Sequence, residues 1–491
     1  MEISEFNHTV LHYLGFVLMI IGALVLLPIL PAILYSEYST IFPFVFAAAL
    51  SLGLGFALNK IFRKGELTLS RAMVMTALTF ISMSVVGAIP YIMLSKVVFG
   101  AATFNTCLCS LFEAVSGFTT TGLTVIPNIE AIPHSLLFWR SFTQWIGGVG
   151  IIVLFLTVLM GPGISSYYLY RGEAWKDRIE PSVKRTAADM VKVYLFYTAV
   201  GILVMFLLGM PVFESVVHTS SMVSTGGFSA KAASIGSYGS VWIETASVIL
   251  MALGAISFAL HYKILGGKLS SFVGLLKNKE VKLMFALLFL FAVALTLHFN
   301  QIGDTSPVRH GVFQTVTATT NSGFYNMPQA GMTEFSKTAT IMMMFIGGSA
   351  GSTAGGLKIV RFMILLAAIP WLIRKYLLPP TAVQPLKIGK LNFHEKEVSQ
   401  VTLYFFIYML MIAIGALVIT AFGYSFMDSL FETTSAAATV GLSSGITGFA
   451  APIGVKVVLI FEMLMGRLEI LPILALFGAL LESRRWGSFY D

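Results

Sequence analysis

Four segments of this sequence, 112–123, 217–228, 313–324 and 431–442, present hydroxyl and backbone oxygens in one recurring order. Each aligns on a glycine: Gly122, Gly227, Gly323 or Gly441. Ten residues earlier stands Phe112, Val217, Phe313 or Phe431, and nine earlier Glu113, His218, Gln314 or Glu432. Six earlier is always a hydroxyl (Ser116, Ser221, Thr317, Ser435), and just after the glycine comes Leu123, Phe228, Phe324 or Leu442. The pairs immediately before it are Thr120 and Thr121, Thr225 and Gly226, Asn321 and Ser322, and Thr439 and Val440. No paired His, Asp or nucleophile stands at triad or metal-ligand spacing, so the pattern points to no catalysis. What it offers is oxygen. Backbone carbonyls can replace the hydration shell of a cation, holding it firmly enough to admit it and weakly enough to release it. Aiming successive carbonyls at one axis needs backbone angles that glycine reaches at least cost. Small Ser and Thr leave room for four chains to meet there.

The elements able to position such segments are read from apolarity. Hydrophobic residues make up 57% of the 491 and charged ones 11%, against roughly 25% charged in soluble domains. A soluble core has no room for that much apolar surface, whereas a bilayer has. Long apolar stretches run over 10–34, 41–58, 72–99, 136–160, 187–210, 241–260, 283–299, 339–373, 400–422 and 453–480. Most reach or approach the ~20 residues that cross ~30 Å of hydrocarbon as helix. Of 31 Lys and Arg, 24 fall in the connections 60–72, 163–192, 261–283 and 357–397 and the tail 481–491. The opposite connections hold four: Lys96, Lys231, Arg309 and Lys337. The positive-inside rule puts the first set, and both termini, in the cytoplasm. The net charge of +8 therefore marks topology and not nucleic-acid binding. Residues 1–10 lack the basic start and cleavage site of a signal peptide, so the first span is expected to stay. Cys107 and Cys109, the only cysteines, are spaced for neither an easy disulfide nor a zinc site; they read as packing residues of a pore helix.

The four oxygen-rich segments lie in the outer connections. Each begins with an apolar or mixed run too short to span, which reads as re-entrant. Non-helical backbone at that depth is tolerated only where it is buried in protein or lines a water-filled path. The aligned glycines are 105, 96 and 118 residues apart, with one span–loop–span unit in each interval, and such a repeat decides the fold. Gly148, Gly254, Gly348 and Gly466 follow their loop glycines by 26, 27, 25 and 25 residues and mark the second span of each unit. The expected fold is an all-α polytopic membrane protein. Two N-terminal transmembrane helices (1–65) precede four tandem helix–pore loop–helix repeats around a central pore (66–163, 164–266, 267–375 and 376–491).

Thr439-Val440-Gly441 echoes the T-V-G-Y-G filter of potassium channels, and the other three loops are looser versions. Over about residues 70–480 the chain resembles the Trk/Ktr/HKT superfamily of potassium transporters, and its two extra spans resemble the TrkH/TrkG branch. The resemblance implies potassium uptake across the plasma membrane through a gated, channel-like pore, with potassium as substrate, no cofactor, and the paired residues and glycines above as its filter. Glycine at position 122 implies preference for potassium over sodium. The run Thr225-Gly226-Gly227 leaves open which glycine takes the filter place. Also implied are a homodimer in membrane lipid with one pore per protomer, and a separate cytosolic nucleotide-binding ring of the TrkA type docked on the basic loops. The competing reading is an ion-coupled secondary transporter that symports potassium or sodium. Such carriers also use Gly-broken helices, but usually in inverted repeats, whereas these units run in one direction.

Two features lie deeper. The run 347–356 contains Gly347, Gly348, Gly351, Gly355 and Gly356. It is no phosphate loop, because Lys358 does not follow the last glycine directly and no strand precedes it. It should break the span 339–373, either as an intramembrane loop that gates the pore, as the resemblance implies, or as a kink in a packing helix. Arg467 lies about fourteen residues into the last span, roughly 21 Å at 1.5 Å per residue. A charge so deep faces protein or water. It reads as a fixed cation of the gate below the filter, or as a structural partner of Glu462 or Glu469. Glu113, Glu432 and His218 are expected near the outer starts of pore helices, where carboxylates draw cations in or favour a helix N-terminus. Arg140 is expected to snorkel to the outer interface.

Overall fold

A computed structural model describes residues 3–65, 68–154, 183–265, 278–379, 384–389 and 391–486. Most of the basic connection 163–192, much of 261–283 and the tail residues 487–491 lie outside the described residues. So do the end of the span expected over 136–160 and the unit boundaries at 163 and 266.

At membrane depth no water satisfies the backbone, so apolar runs close their own N–H and C=O groups as helices. Among the described residues six helical stretches are long and apolar enough to cross a membrane: His8–Leu34, Tyr38–Ile61, Ser70–Met93, Ala188–Leu207, Lys279–Gln301 and Glu395–Ala421. The first bends where Pro28, which has no N–H to donate, separates α1 (Ile3–Leu24) from α2 (Ile29–Leu34). Helix α3 (Ile41–Ile61) packs along α1. The two meet at Gly15 and Gly55, where a Cβ on either would stand 2.7 Å from the other's carbonyl oxygen. Small residues at a crossing are how helices associate in lipid.

Four units of like order follow. Unit 1 comprises α4 (Leu69–Met93), α5 (Ser95–Phe99), the pore helix α6 (Phe104–Phe118) and α7 (His134–Leu154). Unit 2 comprises α8 (Val183–Leu207), the pore helix α9 (Val212–Val223), α10 (Val241–Ala255) and α11 (Phe258–Leu265). Unit 3 comprises α12 (Lys279–Gln301), the pore helix α13 (Pro307–Thr319), α14 (Glu334–Ile346) and α15 (Ile359–Tyr376). A short antiparallel hairpin, β1 (Leu386–Ile388) with β2 (Leu391–Phe393), leads to unit 4. That unit comprises α16 (Glu395–Ala421), the pore helix α17 (Phe426–Ala437), α18 (Ile453–Arg467) and α19 (Leu471–Trp486).

The second spans of units 2 and 4, continuous in the sequence reading, are interrupted like that of unit 3. Helix α10 stops at Ala255 because Ile256 is extended. Helix α18 stops at Arg467, and beyond it Glu469 and Ile470 stand at φ +58° and +64°. Side chains in that left-handed region persist only where the surroundings hold them.

Side chains near the pore-helix N-termini tie each unit to the next. Arg309 of α13 donates to Glu244 of α10 at 2.5 and 2.7 Å. Lys337 of α14 pairs with Asp428 of α17 at 2.7 Å, and Lys456 of α18 donates to Asn105 of α6 at 3.0 Å. At the remaining junction, between units 1 and 2, His134 of α7 meets Phe213 of α9 edge to face, centroids 4.9 Å apart. Glu37, in the turn between α2 and α3, accepts from the backbone of His134 at 2.7 Å and of Ser135 at 3.0 Å. Burial alone would raise the Glu37 carboxyl, but these bonds outweigh it and hold the group below its ordinary value.

Candidate ion pathway

The four pore helices end alike. The N–H before each aligned glycine reaches back to the carbonyl of the recurring hydroxyl position: Thr121 to Ser116 at 2.9 Å, Gly226 to Ser221 at 2.7 Å, Ser322 to Thr317 at 3.0 Å and Val440 to Ser435 at 2.8 Å. The N–H one residue earlier bonds to Gly117, Met222, Ala318 or Ala436. These are the two bonds of a Schellman cap, whose left-handed residue is usually glycine. Here it is Thr120, Thr225, Asn321 or Thr439, with φ of +53°, +51°, +54° and +52°. A β-branched residue in this region is a steric outlier, costing of order 1–3 kcal/mol each. The strain presents side-chain oxygens at the equivalent corner of every loop. Thr120 Oγ1, Asn321 Oδ1 and Thr439 Oγ1 are buried without a hydrogen-bond partner, whereas Thr225 Oγ1 donates to Ser224 O at 2.7 Å.

Two residues further on, Gly122, Gly227, Gly323 and Gly441 stand at φ +91°, +82°, +73° and +96°. The register of the second loop is thereby settled: Gly227 is the equivalent glycine, and Gly226 matches Thr121, Ser322 and Val440. The four glycines touch in a closed cycle. A Cβ on Gly122 would overlap Gly226 O and stand 3.3 Å from Gly227 Cα; one on Gly227 would meet Ser322 O, 3.1 Å from Gly323 Cα. One on Gly323 would overlap Val440 O, 3.2 Å from Gly441 Cα, and one on Gly441 would overlap Thr121 O, 3.0 Å from Gly122 Cα. All four open on a single vestibule of about 660 Å³.

The cycle is unequal in detail. Gln144 of α7 donates to Gly226 O at 2.5 Å and accepts from Phe228 N at 3.1 Å, bracing loop 2 from both sides. Asn321 Nδ2 donates to Met344 O at 2.9 Å and to Ala438 O at 3.1 Å, so one loop-4 carbonyl is already engaged.

Glu113, His218, Gln314 and Glu432 sit near or just past the middle of the pore helices, fully buried, and not at their starts. Each braces the limb leaving its own loop. Glu113 accepts from Thr124 Oγ1 and Val125 N at 2.6 Å, and His218 Nε2 shares a proton with Ser229 Oγ at 2.9 Å. Gln314 exchanges amide bonds with Gln329 at 2.9 and 3.0 Å, and Glu432 accepts from Ser443 Oγ, Ser444 N and Thr447 N at 2.8–3.0 Å. They hold the loops and do not face water as cation attractors. Nor does Arg140 snorkel. It is 1% exposed, pairs with Glu113 at 3.4 Å, donates to Ser229 O at 3.1 Å and lies 4.1 Å from the Phe228 ring centroid.

On the opposite side of the loop corners lies the run 347–356. Gly347, Gly351 and Gly356 take φ of +73° to +75° and fold the backbone in place of a helix. The run is stitched to unit 2: Ser349 N donates to Ala255 O at 2.9 Å, Thr353 Oγ1 to Val223 O and Gly254 O at 3.0 Å, and Phe258 N to Gly351 O at 3.1 Å. Gly348 lies against Ala255. Gly355 lies so close beneath loop 4 that a Cβ would overlap Ala438 O and Thr439 Oγ1. Arg467 closes the arrangement, donating to Thr353 O at 2.7 Å and to Gly147 O at 3.0 Å. It pairs with neither expected acid. Glu469 is taken by Arg361 at 2.5 Å, and Glu462 keeps both oxygens unpartnered.

The glycine marks of the second spans find a cause here. Gly147, Gly254 and Gly466 abut the carbonyls of Phe118, Val223 and Ala437, each four residues before its loop glycine. In unit 1 the equivalent residue is therefore Gly147, and Gly148 faces Tyr194 and Ser224 instead. Cys109 is buried in α6 and Cys107 exposed, both as free thiols.

A family model described as TrkH, a cation transport protein, matches residues 37–488. The chain belongs to the TrkH cation transport protein family. An uncharacterized cation transporter of Methanocaldococcus jannaschii is 33% identical over 475 residues, covering 96% of this chain and 95% of that one. The Trk system potassium uptake protein TrkH of Salmonella typhimurium is 30% identical over 476 residues, 94% and 96% of the two chains. The crystal structure of the potassium transporter TrkH from Vibrio parahaemolyticus superposes with a TM-score of 0.85 at 27% identity, covering 96% of this chain and 98% of that one. Membership of the TrkH family makes this a multi-pass membrane protein that transports cations and is not an enzyme. Gln144 is a site residue that sequence reasoning missed, and within the run 347–356 it did not single out Thr353. One polar amide in an apolar helix and one hydroxyl in a glycine run carry no repeat signal, since each serves only one unit.

Proposed function

We propose that this TrkH-family chain takes up potassium across the plasma membrane through a gated, channel-like pore whose selectivity filter is the cycle of four loops. The carrying observation is that closed cycle of glycine contacts opening on one vestibule. Four equivalent backbone corners meeting at one place suit the stepwise replacement of a hydration shell by protein oxygens. Thr120, Thr121, Gly122, Thr225, Gly226, Gly227, Asn321, Ser322, Gly323, Thr439, Val440 and Gly441 form the filter. The unpartnered oxygens of Thr120, Asn321 and Thr439 support it. Gly347, Gly348, Gly351, Gly355 and Gly356 form the gate, pinned by Arg467, and the bond from Arg467 to Thr353 O supports that role. Potassium as the ion is supported by the potassium uptake proteins among the relatives. We further propose a homodimer in membrane lipid, a cytosolic nucleotide-binding ring of the TrkA type as regulator, cytoplasmic termini, which the basic connections favour, and units bounded at 1–65, 66–163, 164–266, 267–375 and 376–491.

The test is rubidium against sodium flux in proteoliposomes, for the unaltered chain and for Gly441→Ser. Rubidium should exceed sodium, and the ratio should fall in the variant. Saturable flux strictly coupled to protons, and indifferent to changes at Gly122 or Gly441, would sink the pore in favour of symport.

A further inference from the structure

The vestibule is unusual in its charge. Among the described residues the charged side chains that line it are Arg140 and Lys231, both basic, although cation pathways are commonly ringed by carboxylates. Arg140 is fixed by Glu113, Thr124 and the Phe228 ring. Lys231 is freer. Its side chain is 36% exposed, and it follows Gly227 by four residues, so its Cα lies within about 14 Å of that glycine along the chain. Its ammonium is held by Glu214 Oε1 at 3.1 Å. The other Glu214 oxygen accepts the hydroxyl of Tyr238. Glu214 belongs to α9, the pore helix of the same loop. An acid behind the vestibule thus draws a lysine on its rim, and lysine is a compact point charge on a flexible stem.

We propose that Lys231 is a tethered cation at the mouth of the pathway, parked by Glu214 and Tyr238, and that this parking sets how readily potassium enters at low external concentration. The proposal rests on the uptake reading above. Released from Glu214, the ammonium carries the charge of the transported ion and competes for the same space before the filter. A unit charge within about 10 Å of the path, in a medium between protein and water, changes ion occupancy by about threefold.

The test is rubidium uptake into proteoliposomes from a dilute external solution. Glu214→Gln should lower uptake about threefold and Lys231→Met should raise it by a similar factor. The double variant should match Lys231→Met. All differences should shrink when an impermeant salt is added, because screening shortens the reach of the charge. A second readout does not depend on transport: the rate at which an amine-acylating reagent modifies Lys231 in the purified protein, followed by mass spectrometry, should rise in Glu214→Gln. A double variant as slow as Glu214→Gln would reduce Glu214 to a brace of its loop and overturn the proposal, as would unchanged uptake in Lys231→Met. Unchanged acylation overturns the parking even where uptake is intact. No uptake by the unaltered chain counts against the transport reading, and acylation alone then decides the parking.

Discussion

The loop corners and the segment beneath them are built on opposite plans. At the corners, four units repeat one motif, down to the cap bonds and the left-handed Thr or Asn before each glycine. Beneath them, unit 3 alone supplies the run 347–356, and units 1, 2 and 4 contribute the carbonyls, the Phe258 N–H and the arginine that hold it. A site that must surround an ion evenly gains from repetition. A part that must move gains from being single, because one segment can shift without breaking three others. The repeated part is capped within each pore helix and braced by one buried side chain per unit, whereas the single part is tied to other units by backbone bonds and a few polar side chains.

The largest expected effect attacks the single part. Arg467→Ala removes two hydrogen bonds from a charged donor, each worth about 1.5–3 kcal/mol, and should raise rubidium flux tenfold or more, roughly. Gly355→Ala strikes the contact of the same run with Ala438 O and Thr439 Oγ1 of loop 4 and should also raise flux. If both variants conduct no faster while remaining folded, the run is a packing kink and the contrast fails. Next comes the repeated part. A serine at 441 must accept φ +96° and a Cβ 3.0 Å from Gly122 Cα; at about 1–3 kcal/mol of strain, the potassium-to-sodium ratio should fall roughly tenfold. Gly122→Ser should act similarly, and an unchanged ion ratio in both would remove the loops from selectivity. A smaller change is expected from Gln144→Leu, which frees Gly226 O and Phe228 N at about 1 kcal/mol per lost bond. The ion ratio should drop about fivefold with total flux nearly kept; a loss of flux alone would make Gln144 a support of the gate side.

The smallest effect concerns the start of α7 at the junction between units 1 and 2, where Glu37 holds the backbone of His134 and Ser135. Glu37→Gln should lower the midpoint of thermal unfolding by about 1–2 °C. Because the folded carboxyl is held below its ordinary value, its contribution is present above the unfolded value and is lost as pH falls through the folded one. The difference between the two proteins should therefore vanish in acid. A difference that persists there would assign the effect to packing.

The repeated part was legible in the sequence because backbone demands leave glycine little alternative at 122, 227, 323 and 441, and because four copies can be compared. The polytopic helical class followed from apolar length. The breaks after α10 and α18 were not legible; at the second, Leu468, Glu469 and Ile470 read as helix formers, and part of what holds that break open is the pairing of Glu469 with Arg361, more than a hundred residues away in sequence. The partners of Arg467 were hidden for a similar reason. The sequence displays two nearby acids, but the actual acceptors are carbonyls of Thr353 and Gly147, which have no side-chain signature. The acids of the pore helices misled in the opposite way, because their spacing from the glycine was visible but the limb that returns to them was not.

The cycle of glycine contacts has a direction: the first loop leans on the second, the second on the third, the third on the fourth, and the fourth on the first. Like the stones of an arch bent into a circle, no member can be widened privately. A bulky residue in one loop presses first on its successor, so paired substitutions in successive loops should differ from pairs placed across the circle, even though all four sites look alike.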